Sequence, residues 1–406
     1  MLSATALGQM CTAIAMVILA RSGTVARFGQ AMSVIAVVAL LCNFLNFGSN
    51  SLSVRELSSG REDQTEFAQR LKARTGITFA CALIATAILA IWRPNVASIQ
   101  FAPALLLLLA TSQMCMVPLI AERRFMKMGV ATVADKATML VATVIVVGIG
   151  STGPEATAAV MALGALISTV AAVLFWPPSF RAALWAKQGH SPRPRNPWRG
   201  SRHFGLSSTL VALTSADVAI LSGLGGAYAA GIYAAVSRWT QPLNLVATSY
   251  SQTQYPLIAA ASDTRSAWYK ARAGRILLIP LGIGVILILA FANDLVVFLL
   301  GERYASSSQA LRLLAVGTLG VAVNQTLLAF LNARHFEARA AKVVSLAVAT
   351  QLIVLVLLAR PLGAEAAALA YCVSQYVLLA GLCWSARICL KSPDSAGPSL
   401  PGNLPS

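Results

Sequence analysis

The chain has 406 residues, of which 57% are hydrophobic, and a formal charge of +17 at pH 7. A mean hydropathy of +0.72 excludes an ordinary soluble domain, so the basic charge is better explained by membrane topology than by nucleic-acid binding. The seven cysteines lie in or beside apolar segments and the three histidines are scattered along the chain. We therefore expect no disulfide framework, no metal site and no cofactor.

Twelve apolar segments approach or exceed the 20 or so residues that a membrane-spanning helix needs. They cover residues 2–20, 30–53, 75–92, 102–121, 130–149, 156–176, 204–222, 228–253, 276–299, 309–331, 342–359 and 365–386. The first has no Lys or Arg before Arg21, so we interpret it as an uncleaved span and not as a signal peptide. The gaps on the outer side are too short for a catalytic domain, which favours a transporter over an enzyme.

The basic residues fall mainly in every second gap between these segments. Of the 31 Lys and Arg residues, 24 lie in five alternate gaps and the C-terminal tail, and five lie in the other gaps. Because Lys and Arg near span ends are retained on the cytoplasmic side, we predict that both termini are cytoplasmic. Charges spread over short loops argue against a nucleic-acid partner and fit contact with anionic membrane lipids.

A gap rich in Pro and Arg divides the chain into two sets of six spans. The predicted domains are an N-lobe at 1–177, a linker at 178–203, a C-lobe at 204–388 and a disordered cytoplasmic tail at 389–406. Related sequences open the last span of each half, Gly153-Pro154-Glu155 and Gly363-Ala364-Glu365. We predict an all-α integral membrane protein with twelve transmembrane helices in two six-helix lobes around a central cavity.

Two of the 31 basic residues, Arg238 and Arg312, lie inside or at the edge of spans. Arg312 is near the outer end of its span, where a long side chain can reach the interface. Arg238 and Asp217 flank the short gap between the seventh and eighth spans, at depths that differ by only about 5 Å. Ionisable groups inside a membrane are costly and usually functional. We predict a substrate- or ion-linked role for the two, and a structural ion pair is the alternative.

Polar residues form a stripe along one face of each of two spans. The eighth span carries Ser237, Gln241, Asn244, Thr248 and Ser251, and the second carries Asn43, Asn46, Asn50 and Ser53. Such faces must turn towards protein or water and not towards lipid. The predicted substrate-binding residues are Arg238, Gln241, Asn244, Thr248, Asn43, Asn46 and Asn50, and Asp217 is the predicted ion-pair or coupling residue. Interhelical hydrogen bonding is the alternative for both stripes.

Several stretches of the chain carry a family resemblance. They are Phe47-Gly48 with Val54-Arg55-Glu56-Leu57, Asp217-Val218-Ala219-Ile220-Leu221, Gly231-Ile232-Tyr233-Ala234-Ala235-Val236-Ser237-Arg238, Pro242 with Tyr255-Pro256, and Asn293-Asp294 with Leu300-Gly301-Glu302-Arg303-Tyr304. They resemble the Wzx-like polysaccharide and O-antigen flippases of the multidrug/oligosaccharidyl-lipid/polysaccharide (MOP) exporter superfamily. The family often has a basic residue after the seventh-span Asp, where this chain has Val218. That departure leaves Arg238 as the expected partner of Asp217.

The resemblance implies a MATE-like fold and a bacterial inner-membrane flippase. Its cargo would be an isoprenoid-pyrophosphate-linked sugar or oligosaccharide, moved from the inner to the outer leaflet by alternating access for surface polysaccharide assembly. A polysaccharide polymerase and other assembly proteins are the further partners it implies. The alternatives are a multidrug exporter of the same superfamily, a flippase for a lipid-linked peptidoglycan precursor, and a non-transporting scaffold of an assembly complex.

Overall fold

The computed structural model describes residues 2–58, 60, 62–92, 101–151, 153–185, 198, 201, 205, 209, 212–213, 216–240, 247, 251, 258, 261, 263–272, 278–334 and 336–391. Every element of regular secondary structure in these residues is a helix. The all-α membrane class predicted from the sequence is thereby confirmed, because the described residues contain nine helical stretches that are long and apolar enough to cross a membrane, judged by length and composition.

The helices of the first half begin almost at the N-terminus. They are α1 (Leu2–Ser22), α2 (Val25–Asn46), α3 (Ser49–Ser58), α4 (Gln64–Trp92), α5 (Ala102–Cys115), α6 (Val117–Ala121), α7 (Phe125–Gly148), α8 (Pro154–Phe175) and α9 (Pro178–Trp185). The helices of the second half are α10 (Asp217–Ser237), α11 (Thr264–Arg272), α12 (Leu278–Leu300), α13 (Ser308–Ala333), α14 (Glu337–Leu362) and α15 (Ala364–Lys391). Short 3-10 turns cover Arg238–Thr240 and Glu302–Ser307.

Each of the twelve predicted spans contains helical residues. The predicted seventh and eighth spans share α10, whose helical geometry is interrupted at Gly226. Residues 389–391 of the predicted tail are helical, and the rest of the tail lies outside the described residues.

The predicted second span is not one continuous helix. Phe47 and Gly48 both have positive φ, 38° and 70°, and the Phe47 N–H donates to the Asn43 carbonyl at 3.0 Å in a left-handed cap. The chain therefore ends α2 and begins α3 at this point. Its predicted polar stripe is divided between two helices, so the expectation of one continuous face was wrong.

The chain forms two compact units. The first comprises Met1–Arg238, Asn293–Ser308 and Leu355–Ala367, and the second comprises Trp239–Ala292, Gln309–Val354 and Ala368–Ser406. Within the second unit, α13 and α15 are joined by the side-chain amide of the buried Asn324, which donates to the Gln375 side-chain oxygen at 3.1 Å and to its carbonyl at 2.9 Å. The lobe and linker boundaries drawn from the sequence stay a prediction.

In the first unit, α2 crosses the second part of α10 with the two backbones in contact. A Cβ added at Gly29 would lie 1.8 Å from the Ala227 carbonyl oxygen, and one added at Gly231 would lie 2.2 Å from the Val25 carbonyl oxygen. Neither position has room for a side chain, as in other close helix crossings between membrane helices. This crossing fixes the backbone of α10 shortly before Arg238 begins the 3-10 turn.

We expect Gly231→Ala to destabilise the protein, because the added methyl group must push α2 and α10 apart. Overpacking of this kind costs about 1–3 kcal/mol, which should appear as a lower thermal unfolding temperature of the purified protein in detergent. Gly223→Ala, on the same helix, is the matched control, because nothing lies within 4 Å of a Cβ at Gly223. Equal unfolding temperatures for the two variants would contradict the close crossing.

Candidate functional site

The chain reverses direction within α10. Gly226 has φ 87° and ψ 166°, which only glycine adopts readily. The Tyr233 hydroxyl donates to the carboxylate of Asp217, although these residues would be about 24 Å apart along an uninterrupted helix. The two parts of α10 therefore lie side by side, which confirms the predicted turn between the seventh and eighth spans.

Asp217 begins the first of these two parts, and its own hairpin provides hydrogen bonds to both carboxylate oxygens. Oδ1 accepts the Val218 N–H at 2.7 Å and Oδ2 accepts the Tyr233 hydroxyl. A carboxylate is favourable here because the N-terminus of a helix carries partial positive charge. Sequence reasoning missed Tyr233, which is only 1% exposed. The sequence did contain a signal for this contact, because Asp217 and Tyr233 lie sixteen positions apart on either side of a Gly-rich turn.

Arg238 caps the C-terminal end of α10 and starts the 3-10 turn. A cation is favourable at this C-terminal end for the same electrostatic reason. Arg238 and Asp217 are both partly exposed and attract each other. Both belong to the described part of the chain, and no salt bridge joins them there. The structure thus shows attraction without direct contact, and the role of Asp217 in an ion pair or in coupling stays a prediction.

The remaining predicted residues of the eighth span, Gln241, Asn244 and Thr248, lie outside the described residues. Ser251 donates from its hydroxyl to the Gln325 carbonyl at 2.9 Å, within the second compact unit. That bond is of the interhelical kind that the sequence left open for this stripe.

The three predicted asparagines, two at the end of α2 and one at the start of α3, all form hydrogen bonds within the protein. Asn43 donates to the Ala39 carbonyl at 2.9 Å, and the Asn46 side-chain oxygen accepts the Asn50 N–H at 3.1 Å. The Asn50 side-chain oxygen accepts from Arg74 at 2.6 Å. The Asn46–Asn50 bond links α2 to α3, and the Arg74–Asn50 bond links α4 to α3. A substrate role for the three asparagines stays a prediction.

Two arginines of α4 hold α3 against α4, and in the sequence their positive charges indicated only the membrane topology. Arg74 is 3% exposed and bonds Asn50. Arg70, one turn earlier, donates to Ser53 at 3.0 Å and forms salt bridges with Glu56 at 3.3 Å and Glu62 at 3.2 Å. Their i, i+4 spacing, which places them on one face of α4, was the signal that could have revealed them.

Glu62 lies in the loop between α3 and α4 and is 5% exposed. Burial raises its pKa from 4.5 to about 7, and the neighbouring Glu56 and Glu66 add to that shift while Arg70 opposes it. The side chain lines a cavity of about 460 Å³, together with Asp63 and Glu122. A carboxyl group with this pKa exchanges protons near neutral pH.

The comparisons with known proteins agree with this architecture. Residues 1–262 match the family model described as polysaccharide biosynthesis protein. The chain belongs to this family. No curated protein matches its sequence at a significant level.

Solved structures with the same fold come from transporters. An inward-facing multidrug resistance MATE family transporter of the MOP superfamily aligns with TM-score 0.70 and 13% identity over 96% of each chain. The lipid II flippase MurJ, in an inward closed conformation, aligns with TM-score 0.74 and 11% identity over 95% of this chain and 86% of that one. A MOP superfamily transporter from Pyrococcus furiosus aligns with TM-score 0.62 and 14% identity over 96% of this chain and 94% of that one.

These likenesses confirm the MOP fold for this polysaccharide biosynthesis family protein. The polysaccharide biosynthesis family and the fold that the sequence resemblance implied are therefore confirmed. At identities this low, the structures carry no information about the cargo.

The raised pKa of Glu62 predicts a pH-dependent stability. Below pH 4.5 the Glu62 carboxyl is protonated in both the folded and the unfolded protein. As pH rises from there to about 7, the unfolded chain releases the proton first, because its pKa is lower. The free energy of unfolding should therefore fall over this interval, by an amount that disappears in Glu62→Gln. Thermal unfolding in detergent between about pH 5 and pH 8 measures how the stability of each variant changes with pH. Glu302→Gln is the control, because Glu302 is an exposed carboxyl. Parallel slopes for the wild type and Glu62→Gln would contradict the assignment.

Proposed function

We propose that this protein is a flippase. Its cargo is an isoprenoid-pyrophosphate-linked sugar or oligosaccharide, which it moves from the inner to the outer leaflet for surface polysaccharide assembly. The family membership and the MOP fold support a transporter of this class. The observation that carries the proposal is Arg238, an arginine that the spacing of charges along the loops does not explain.

The depth of Arg238 suits a group that meets cargo in transit. It lies twelve residues beyond the turn at Gly226, which corresponds to about 18 Å along a helix. With the turn at the outer surface, this places the guanidinium near the middle of a hydrocarbon core about 30 Å thick. A cation there is costly and is retained where function needs it.

The chemistry of the cargo matches the side chains assigned to it. A guanidinium binds phosphate oxygens with charge-assisted and often bidentate hydrogen bonds. In this proposal Asn43, Asn46, Asn50, Gln241, Asn244 and Thr248 hydrogen-bond sugar hydroxyls, which the asparagines can reach only by exchanging their present bonds. The isoprenoid tail stays in lipid while the lobe at 1–177 rocks against the lobe at 204–388, with the linker at 178–203 between them and the close crossing of α2 and α10 as the pivot.

The proposal also covers the location of the protein in the cell and its partners. The protein lies in the bacterial inner membrane with both termini cytoplasmic, as the distribution of Lys and Arg indicates. Its partners are the lipid-linked glycan, the membrane lipids and the polymerase or other proteins of glycan assembly. A multidrug exporter remains the second candidate because MATE transporters share the fold. A cation exporter would prefer an exposed carboxylate, whereas both oxygens of Asp217 already accept hydrogen bonds.

Arg238→Ala should abolish glycan export while the protein still inserts and accumulates, and Arg238→Lys should retain part of the function because the charge remains. The readouts are surface polysaccharide in a strain that lacks its own copy, and binding of geranylgeranyl pyrophosphate to the purified protein. Removing a charge-assisted bond to phosphate should weaken this binding at least about tenfold.

Arg360→Ala is the matched control, because Arg360 is exposed near the end of α14. Normal surface polysaccharide in Arg238→Ala would contradict the role of Arg238. Export of cationic drugs by a wild-type protein that binds no isoprenoid pyrophosphate would contradict the flippase function itself.

A further inference from the structure

Asp217 and Arg238 attract each other, yet their side chains do not form a salt bridge. The carboxylate is instead held by the Tyr233 hydroxyl on one oxygen and by the Val218 N–H on the other. All four residues belong to α10 or the turn that follows it. The hairpin therefore keeps a carboxylate near the arginine while directing its hydrogen bonds elsewhere.

We propose that Tyr233 is a positioning residue, which holds Asp217 away from Arg238 so that the guanidinium stays available to the pyrophosphate of the cargo. This inference rests on the proposed function. It adds a residue that determines how strongly the site binds an anion. Tyr233 does not touch the cargo and acts only through Asp217.

The physical reason is a competition for the guanidinium. A carboxylate and a phosphate bind arginine through the same fork of N–H donors. If Asp217 occupied that fork, the cargo would have to displace it and leave a carboxylate unpaired in a low-dielectric region, which is strongly unfavourable. Held at a distance, Asp217 still offsets part of the cost of keeping a cation in the membrane, because Coulomb attraction does not need contact.

Tyr233 is suited to this task because its own position is fixed. Its side chain is 1% exposed, so few alternative rotamers are open to it. Two residues earlier, Gly231 contacts the backbone of α2 so closely that a Cβ would lie 2.2 Å from the Val25 carbonyl oxygen. The hydroxyl is thereby held at a defined place relative to Asp217, across the turn at Gly226.

The test measures binding of geranylgeranyl pyrophosphate to the full-length protein in detergent, with geranylgeraniol as the control for the tail. In Tyr233→Phe, Asp217 loses its hydroxyl partner and can close on Arg238, so we expect about tenfold weaker binding of the pyrophosphate. In the double variant Tyr233→Phe, Asp217→Asn the competing charge is gone. Its affinity should return to within about twofold of Asp217→Asn alone.

Three outcomes would overturn the proposal. One is unchanged affinity in Tyr233→Phe, and another is a double variant as weak as Tyr233→Phe, which would mean that the hydroxyl acts only on packing. If Tyr233→Phe does not accumulate, Asp217→Glu replaces it, since the longer carboxylate can reach Arg238 and should weaken binding similarly. Unchanged affinity in Asp217→Glu is the third.

Arg238→Ala in the same assay separates the two proposals. If it binds the pyrophosphate normally, the proposed function of Arg238 fails. If Arg238→Ala loses binding while Tyr233→Phe keeps it, only the positioning role fails.

Discussion

The contact between the backbones of α2 and α10 at Gly29 and Gly231 is the constraint on which the candidate site depends. Membrane helices gain little from hydrophobic burial against one another, so they associate through close packing at small residues. Here the packing is tight enough to exclude even a methyl group at either glycine. It fixes the part of α10 that carries Tyr233 and ends at Arg238, and so it sets where the charged groups can lie.

On this hairpin the Tyr233 hydroxyl bonds the Asp217 carboxylate, and in our proposal this bond holds the carboxylate away from Arg238. Direct pairing would give strong attraction but would also occupy the donors that an anionic cargo needs. In this proposal the arrangement gives up part of that attraction and leaves the Arg238 guanidinium available to the cargo near the middle of the membrane. A second set of charges, Arg70 with Glu56 and Glu62, lies at the junction of α3 and α4 and forms direct salt bridges.

The helical membrane class and the fold could be predicted from the sequence because they follow from long apolar segments and from the placement of charges along the chain. The turn between the seventh and eighth spans could also be predicted, since Gly223, Gly225 and Gly226 interrupt an apolar stretch. The break in the second span could not be predicted, because Phe47 adopts a left-handed conformation that is rare for phenylalanine.

The site was harder to predict for a related reason. Arg238 and Asp217 stood out because charged residues are rare within spans. Tyr233 did not, because tyrosine is common in membrane helices and only the structure shows its hydroxyl beside the Asp217 carboxylate. Asn50 was assigned to the cargo, yet the structure bonds it to Arg74, whose position depends on how α4 packs against α3. Periodicity shows which residues share a helix face and does not show what that face meets.

Translocation by the purified protein in liposomes tests the proposed flippase function and the role of Arg238 together. A fluorescent sugar linked through pyrophosphate to an isoprenoid is placed in both leaflets, and a membrane-impermeant quencher reports how fast it changes leaflet. We predict movement that requires the wild-type protein and that Arg238→Ala abolishes. Movement that is equally fast with Arg238→Ala, or as slow with the wild-type protein as in empty liposomes, would contradict the proposal.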